Sequence, residues 1–314
     1  MESRDKCLSN PSPIGGCREM RIRLKTGVSL FFDVEGAKLE AHGSVMRNKP
    51  TLILLHGGPG FDHAQMKPEY SPLATQAQLI YIDHRGHGRS DDGDPDQWSL
   101  ERWGDDILDF CEALEIVDPI VLGLSFGGFI AQAYATRHPE HPRALILSST
   151  SARLSRERIY AAFESLGGTE ARRVAEQFWG GNSSGSAMEE YLRVCLPLYR
   201  RLRAEKGDRR ARQIFRAAPV SKFGGPRGES MSFNFLPVLH ELRCPTLVIA
   251  GAADPVTTIA DAREMAAAIR EDLRRLVVVP GAGHPVIWDD PEAELRAIDR
   301  FLREIRSGTV SGAH

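Results

Sequence analysis

No apolar run in the 314 residues approaches the ~18–20 that a membrane-spanning helix needs, so no such helix is expected. Charge of one sign is equally lacking. Forty Lys and Arg face 42 Asp and Glu, a formal net charge of −2. Without a basic surplus no global field draws the chain to nucleic acid or anionic lipid. Cysteine is scarce and odd in number, with Cys7, Cys17, Cys111, Cys195 and Cys244 at scattered spacings. That argues against a disulfide-framed scaffold and for reduced thiols in a cytoplasmic protein, with a Cys7–Cys17 bridge not expected. The opening "MESRDKCLSNPSPIGGCREM" has no apolar segment of signal-peptide type, and residues 1–20 are expected to form a loose tail.

What is present suits a soluble globular chain. Hydrophobic residues make up 42% and charged residues 26%, and the length allows one large α/β domain carrying an insertion. Alternation around Thr26-Gly27 in "MRIRLKTGVSLFFDVEG" predicts an antiparallel hairpin, followed by a turn-rich connection. "TLILLHGGPG", "LIYIDHRGHGRS", "PIVLGLS" and "ALILSST" are short runs apolar on both faces, as in central parallel strands, and the first two break into glycines. Between them "SLERWGDDILDFCEALEI" places Leu100, Trp103, Ile107, Phe110, Cys111 and Leu114 at three- and four-residue steps, a helix capped by Ser99. This alternation predicts a doubly wound, mostly parallel sheet.

The rhythm breaks at about residue 151 and resumes near 241 with "PTLVIAGAADPV" and "RRLVVVPGAGHPVI". The intervening stretch reads as helical and polar. Residues 151–216 hold 14 Arg and Lys against 8 Asp and Glu, read first as solvated helix faces and second as attraction for an anionic substrate. A last helix starts at Asp290 as cap and Pro291 as first residue, with Leu295, Ile298, Phe301, Leu302 and Ile305 as its apolar stripe. The expected organisation is a core of residues 21–150 and 241–306, a helical lid of 151–240 and a tail from 307.

Gly123-Leu124-Ser125-Phe126-Gly127 stands where a strand gives way to a helix, the context of the G-x-S-x-G nucleophile elbow. A serine hydroxyl needs a base, and His284 lies in a glycine-rich loop just past the last strand. Asp254 ends an earlier strand and is placed to orient it. For an oxyanion, the donors expected are the N–H of Phe126 and one from "HGGPG", at Gly58 or alternatively Gly57. His84 and His87 lack a third ligand group, so no metal is expected, and "HGGPG" lacks the ending of a phosphate loop.

The order Ser125, Asp254, His284 is that of the α/β-hydrolases, which the chain resembles over nearly all of residues 20–306. "HGGPG", "DHRGHGRS" and "GLSFGG" resemble the proline iminopeptidase branch. The resemblance implies a cofactor-independent serine hydrolase acting on a small molecule or short peptide. It also implies lid glutamates that hold a substrate amine, for which Glu189, Glu190 and Glu229 are the candidates. Two positions depart from that branch: "DHRG" stands where D-Q-R-G is usual, and Phe126 where Trp is usual. The alternative is an esterase or lactonase, whose apolar pocket would use residues such as Phe178, Trp179, Phe223 or Phe233.

Overall fold

The computed structural model describes residues 20–181, 185–202, 212–225 and 227–308. The strands are β1 (Arg21–Arg23), β2 (Ser29–Glu35), β3 (Leu39–His42), β4 (Val45–Asn48), β5 (Thr51–Leu55), β6 (Gln78–Ile82), β7 (Ile120–Leu124), β8 (Ala144–Ser148), β9 (Thr246–Gly251) and β10 (Arg274–Val279). The helices are α1 (Leu100–Ala113), α2 (Phe126–Arg137), α3 (Arg156–Trp179), α4 (Gly185–Val194), α5 (Ala217–Gly224), α6 (Ile259–Ala268), α7 (Val286–Asp289) and α8 (Pro291–Ser307). Eight strands form one sheet in the order β1-β2-β6-β5-β7-β8-β9-β10. The β1–β2 and β2–β6 pairs are antiparallel and every later pair is parallel.

The period of two along each strand sorts the core into two layers. Ile53, Leu55, Val121, Leu145, Leu147 and Val248 pack with α1, α2 and α6 on one face. Leu52, Leu54, Leu122, Ile146, Leu247 and Ile249 pack with α7 and α8 on the other. Strands β5, β7, β8 and β9 are therefore buried along their whole length, which is why they read as unbroken apolar runs.

Between β8 and β9 the described elements are all helical. Gly168, at φ 73°, kinks α3, and Ile159, Phe163, Ala171, Val174, Tyr191 and Cys195 form a small core of their own. That core reaches Val256, two residues past Asp254.

The expected caps hold: Ser99 Oγ accepts from Arg102 N–H and Asp290 Oδ1 from Ala293 N–H. Helix α8 runs one residue past the expected core limit, to Ser307, and stops at Gly308 in the left-handed region. The stretch read as a turn-rich connection contains the two-stranded β3–β4 hairpin. Its residues are mostly exposed, so no buried face imposed the alternation that would have marked it. Cys111, Cys195 and Cys244 are buried free thiols, while Cys7 and Cys17 lie outside the described residues. Among the described residues no helix is long and apolar enough to cross a membrane.

Candidate active site

Ser125 sits between β7 and α2 with φ 53° and ψ −115°, a conformation that costs a non-glycine residue on the order of 1–3 kcal/mol. The flanking glycines permit it. A Cβ on Gly123 would overlap the Gly127 carbonyl, and one on Gly127 would overlap the Leu55 carbonyl. The elbow is then pinned from outside: Ser125 N–H donates to Ser148 O at 2.9 Å, and Thr150 Oγ1 donates to Ser125 O at 2.8 Å.

His284 lies in the loop between β10 and α7, and its Nε2 is 3.0 Å from Ser125 Oγ. Its Nδ1 is 2.7 Å from Asp254 Oδ2. Asp254 follows β9 and is 3% exposed, yet its charge is well solvated by the protein. Oδ1 accepts from Val256 N–H and Thr257 N–H at 2.8 and 2.9 Å, and Oδ2 accepts from Thr257 Oγ1 at 2.8 Å. Three residues 30 and 129 positions apart in sequence thus form one chain of two hydrogen bonds. Such a chain can move a proton from a hydroxyl to an imidazole while a carboxylate holds the ring.

Phe126 opens α2, so its N–H is one of the donors that a helix N-terminus leaves without an intrahelical acceptor. Its ring points into the core, 5.2 Å from Trp103 and 5.1 Å from Phe223. Gly58 lies in the loop after β5 at φ 143°, and the adjacent Gly57 lies against Ser125: a Cβ there would come 3.5 Å from Ser125 Cβ.

A family model of the alpha/beta hydrolase fold matches residues 50–291. The chain belongs to this family. A proline iminopeptidase, PfmaB, of Pestalotiopsis fici is 26% identical over 290 residues, covering 87% of this chain and 99% of that protein. The 3-oxoadipate enol-lactonase 1 of Acinetobacter baylyi is 24% identical over 279 residues, covering 87% and 96%. Among solved structures, the proline iminopeptidase of Mycobacterium smegmatis superposes with a TM-score of 0.73 at 22% identity, covering 93% of this chain and all of that one.

In this α/β hydrolase the carboxylates weighed as amine ligands have other surroundings. Glu229 Oε2 accepts from Leu100 N–H at 2.8 Å, at the start of α1. Glu190 pairs with Arg173 at 2.5 Å, which holds its carboxyl below the usual range, and Glu189 is exposed. The aromatic candidates fall into two groups. Phe233 packs on Phe129 with centroids 4.6 Å apart, beside Phe223. Phe178 stacks on Tyr191 at 4.2 Å, and Trp179 Nε1 donates to the Tyr191 hydroxyl. Tyr199, which no sequence motif marks, presents its ring edge-on to His284 at 5.4 Å.

His56, the first residue of HGGPG, forms a buried imidazole cluster with His84 and His87. Burial lowers all three, His84 well below the ordinary value and His87 to about 3, so they are neutral packing groups near neutral pH. The metal-type donors that do converge, among the described residues, are Asp62, His63 and Asp83, within 4.8 Å of one another. Asp83 already accepts from His63 N–H, the His63 ring and Arg89 N–H, and the Arg89 guanidinium sits on Asp62. Arg89 Nη1 lies 2.9 Å from Asp62 Oδ2 and 3.8 Å from Asp83 Oδ2.

Proposed function

We propose that this chain is a serine hydrolase of small carbonyl substrates that works through an acyl-enzyme. The observation that carries the reading is the hydrogen-bonded series Asp254–His284–Ser125 at the C-terminal ends of its strands. Ser125 Oγ attacks the carbonyl carbon while His284 Nε2 takes its proton. Asp254 accepts from Nδ1–H and stabilises the imidazolium. The oxyanion is held by the N–H of Phe126 and by that of Gly58, in the amide that joins it to Gly57. His284 then protonates the leaving group, and water attacks the acyl-enzyme with His284 again as base. Each step uses side chains and amides of the chain itself. Residues 151–240 act as the lid, and the buried thiols suit the reducing cytoplasm.

The similarity to proline iminopeptidases supports a small amide or peptide as substrate. A second reading, an ester or lactone, is favoured by the engagement of Glu190 and Glu229 in other contacts and by two aromatic groups, one linked through Phe223 to Phe126 and the other through Tyr199 to His284. The deciding experiment compares kcat/KM for a proline arylamide and a short-chain aryl ester, with Ser125→Ala as the blank. Ser125-dependent amide turnover supports the iminopeptidase reading, and ester turnover alone supports the second. Full activity of Ser125→Ala on either substrate rejects the mechanism.

A further inference from the structure

The three members of the triad are anchored differently. Ser125 is held by the sheet and the elbow, and Asp254 by the turn that follows it. The loop of His284 is held to the core by bonds from Ala253 N–H to Ala282 O and from Val286 N–H to Ser149 Oγ, and His284 itself is bonded to the insertion. Its N–H donates to the carbonyl of Tyr199 at 2.6 Å, and a Cβ on the preceding Gly283 would overlap that same carbonyl. Gly283 N–H donates to Asp289 Oδ2 at 2.8 Å. The same carboxylate accepts from Arg201 N–H at 2.9 Å and from Leu202 N–H at 2.7 Å. Arg200 adds a bond from Nη2 to Trp288 O at 2.8 Å.

We propose that Asp289 is a positioning residue that clasps the insertion segment 199–202 to the loop bearing His284, so that the docked insertion sets the place of the catalytic base. The proposal rests on the reading of Ser125, Asp254 and His284 given above. A carboxylate suits the post because it accepts only, and here it meets three N–H groups from two segments. Asp289 is 1% exposed, so bulk water does not compete for the three bonds it accepts. Ser125 and Asp254 have the separate anchors given above, so loss of the clasp displaces His284 relative to both. A displacement on the order of 1 Å at a reacting group costs about 100-fold in rate. The Nε2–Oγ distance of 3.0 Å leaves little room for one.

The test uses Asp289→Asn in the full chain, with Asp289→Glu as the second variant. Three quantities are read: kcat and KM on the better substrate, the downfield proton resonance of His284 Nδ1–H, and folding by circular dichroism. The expected result for the Asn variant is a folded protein with kcat lowered at least about tenfold and KM within about threefold. Its Nδ1–H resonance should be shifted or broadened. The Glu variant, which keeps the charge, should recover part of the loss. A folded Asn variant with unchanged kcat and an unmoved resonance overturns the proposal. If Asn unfolds, Glu decides by the same readings; if both unfold, Asp289 serves stability alone and the proposal fails. Should Ser125→Ala keep full activity, the catalytic reading falls instead, and the resonance alone reports on the clasp.

Discussion

At Ser125 a strained backbone, a hydroxyl and two neighbouring carbonyls compete for the same few ångströms. The glycines on either side resolve that competition by having no side chain. Gly127→Ala would place its Cβ against the Leu55 carbonyl, which is sheet backbone and unable to yield. The expected cost is about 1–3 kcal/mol of overpacking, read as a lower urea midpoint, with Ser125 displaced and activity lost in proportion. A variant with wild-type midpoint and rate would contradict the close approach. These residues were legible in the sequence because the elbow is local chemistry spread over five positions. Tyr199 was not, since nothing near it in the chain announces that its carbonyl meets His284, 85 residues on.

Among the elements, α1 shows how a helix start can absorb a side chain that sequence alone would assign to a substrate. Its N-terminus is served twice, by Ser99 within the chain and by Glu229 from the insertion. A carboxylate there also meets the positive end of the helix dipole, worth about 0.3–1 kcal/mol. Glu229→Ala should therefore lower stability by about 1 kcal/mol and leave KM for an arylamide unchanged. A large rise in KM with stability intact would return Glu229 to the role of amine ligand. The buried strands were predictable from their unbroken apolar runs, and the amphipathic helices from their period of 3.6. The exposed β3–β4 hairpin was not, because neither of its faces is buried deeply enough to impose a pattern.

For the molecule as a whole, one buried acid links stability to pH. Glu294 lies on the core-facing stripe of α8, one turn before Ile298, and is fully buried with Oε1 accepting from Tyr70 Oη at 2.6 Å. Burial lifts its carboxyl from the ordinary 4.5 to about 7. The folded value being the higher, its contribution is fully present below pH 4.5 and is lost as pH rises through 7. Across that window the folded state holds the extra proton, so stability should fall by at most about 3 kcal/mol. Glu294→Gln removes the titration. Urea unfolding at pH 5 and pH 8 should show the variant gaining on the wild type at the higher pH, and an equal difference at both would refute the assignment.

Local periodicity, caps and turn residues act within a few positions, and they were enough to determine the mostly parallel sheet and the helical character of the described elements between β8 and β9, and to single out Ser125, Asp254 and His284. Packing between distant segments decided the rest: that Glu229 caps α1, that Asp289 joins the insertion to the His284 loop, and that a glutamate sits within the apolar stripe of α8. Each of these depends on which groups meet across tens to hundreds of residues, and that follows from how the layers close on one another rather than from any neighbour in the chain.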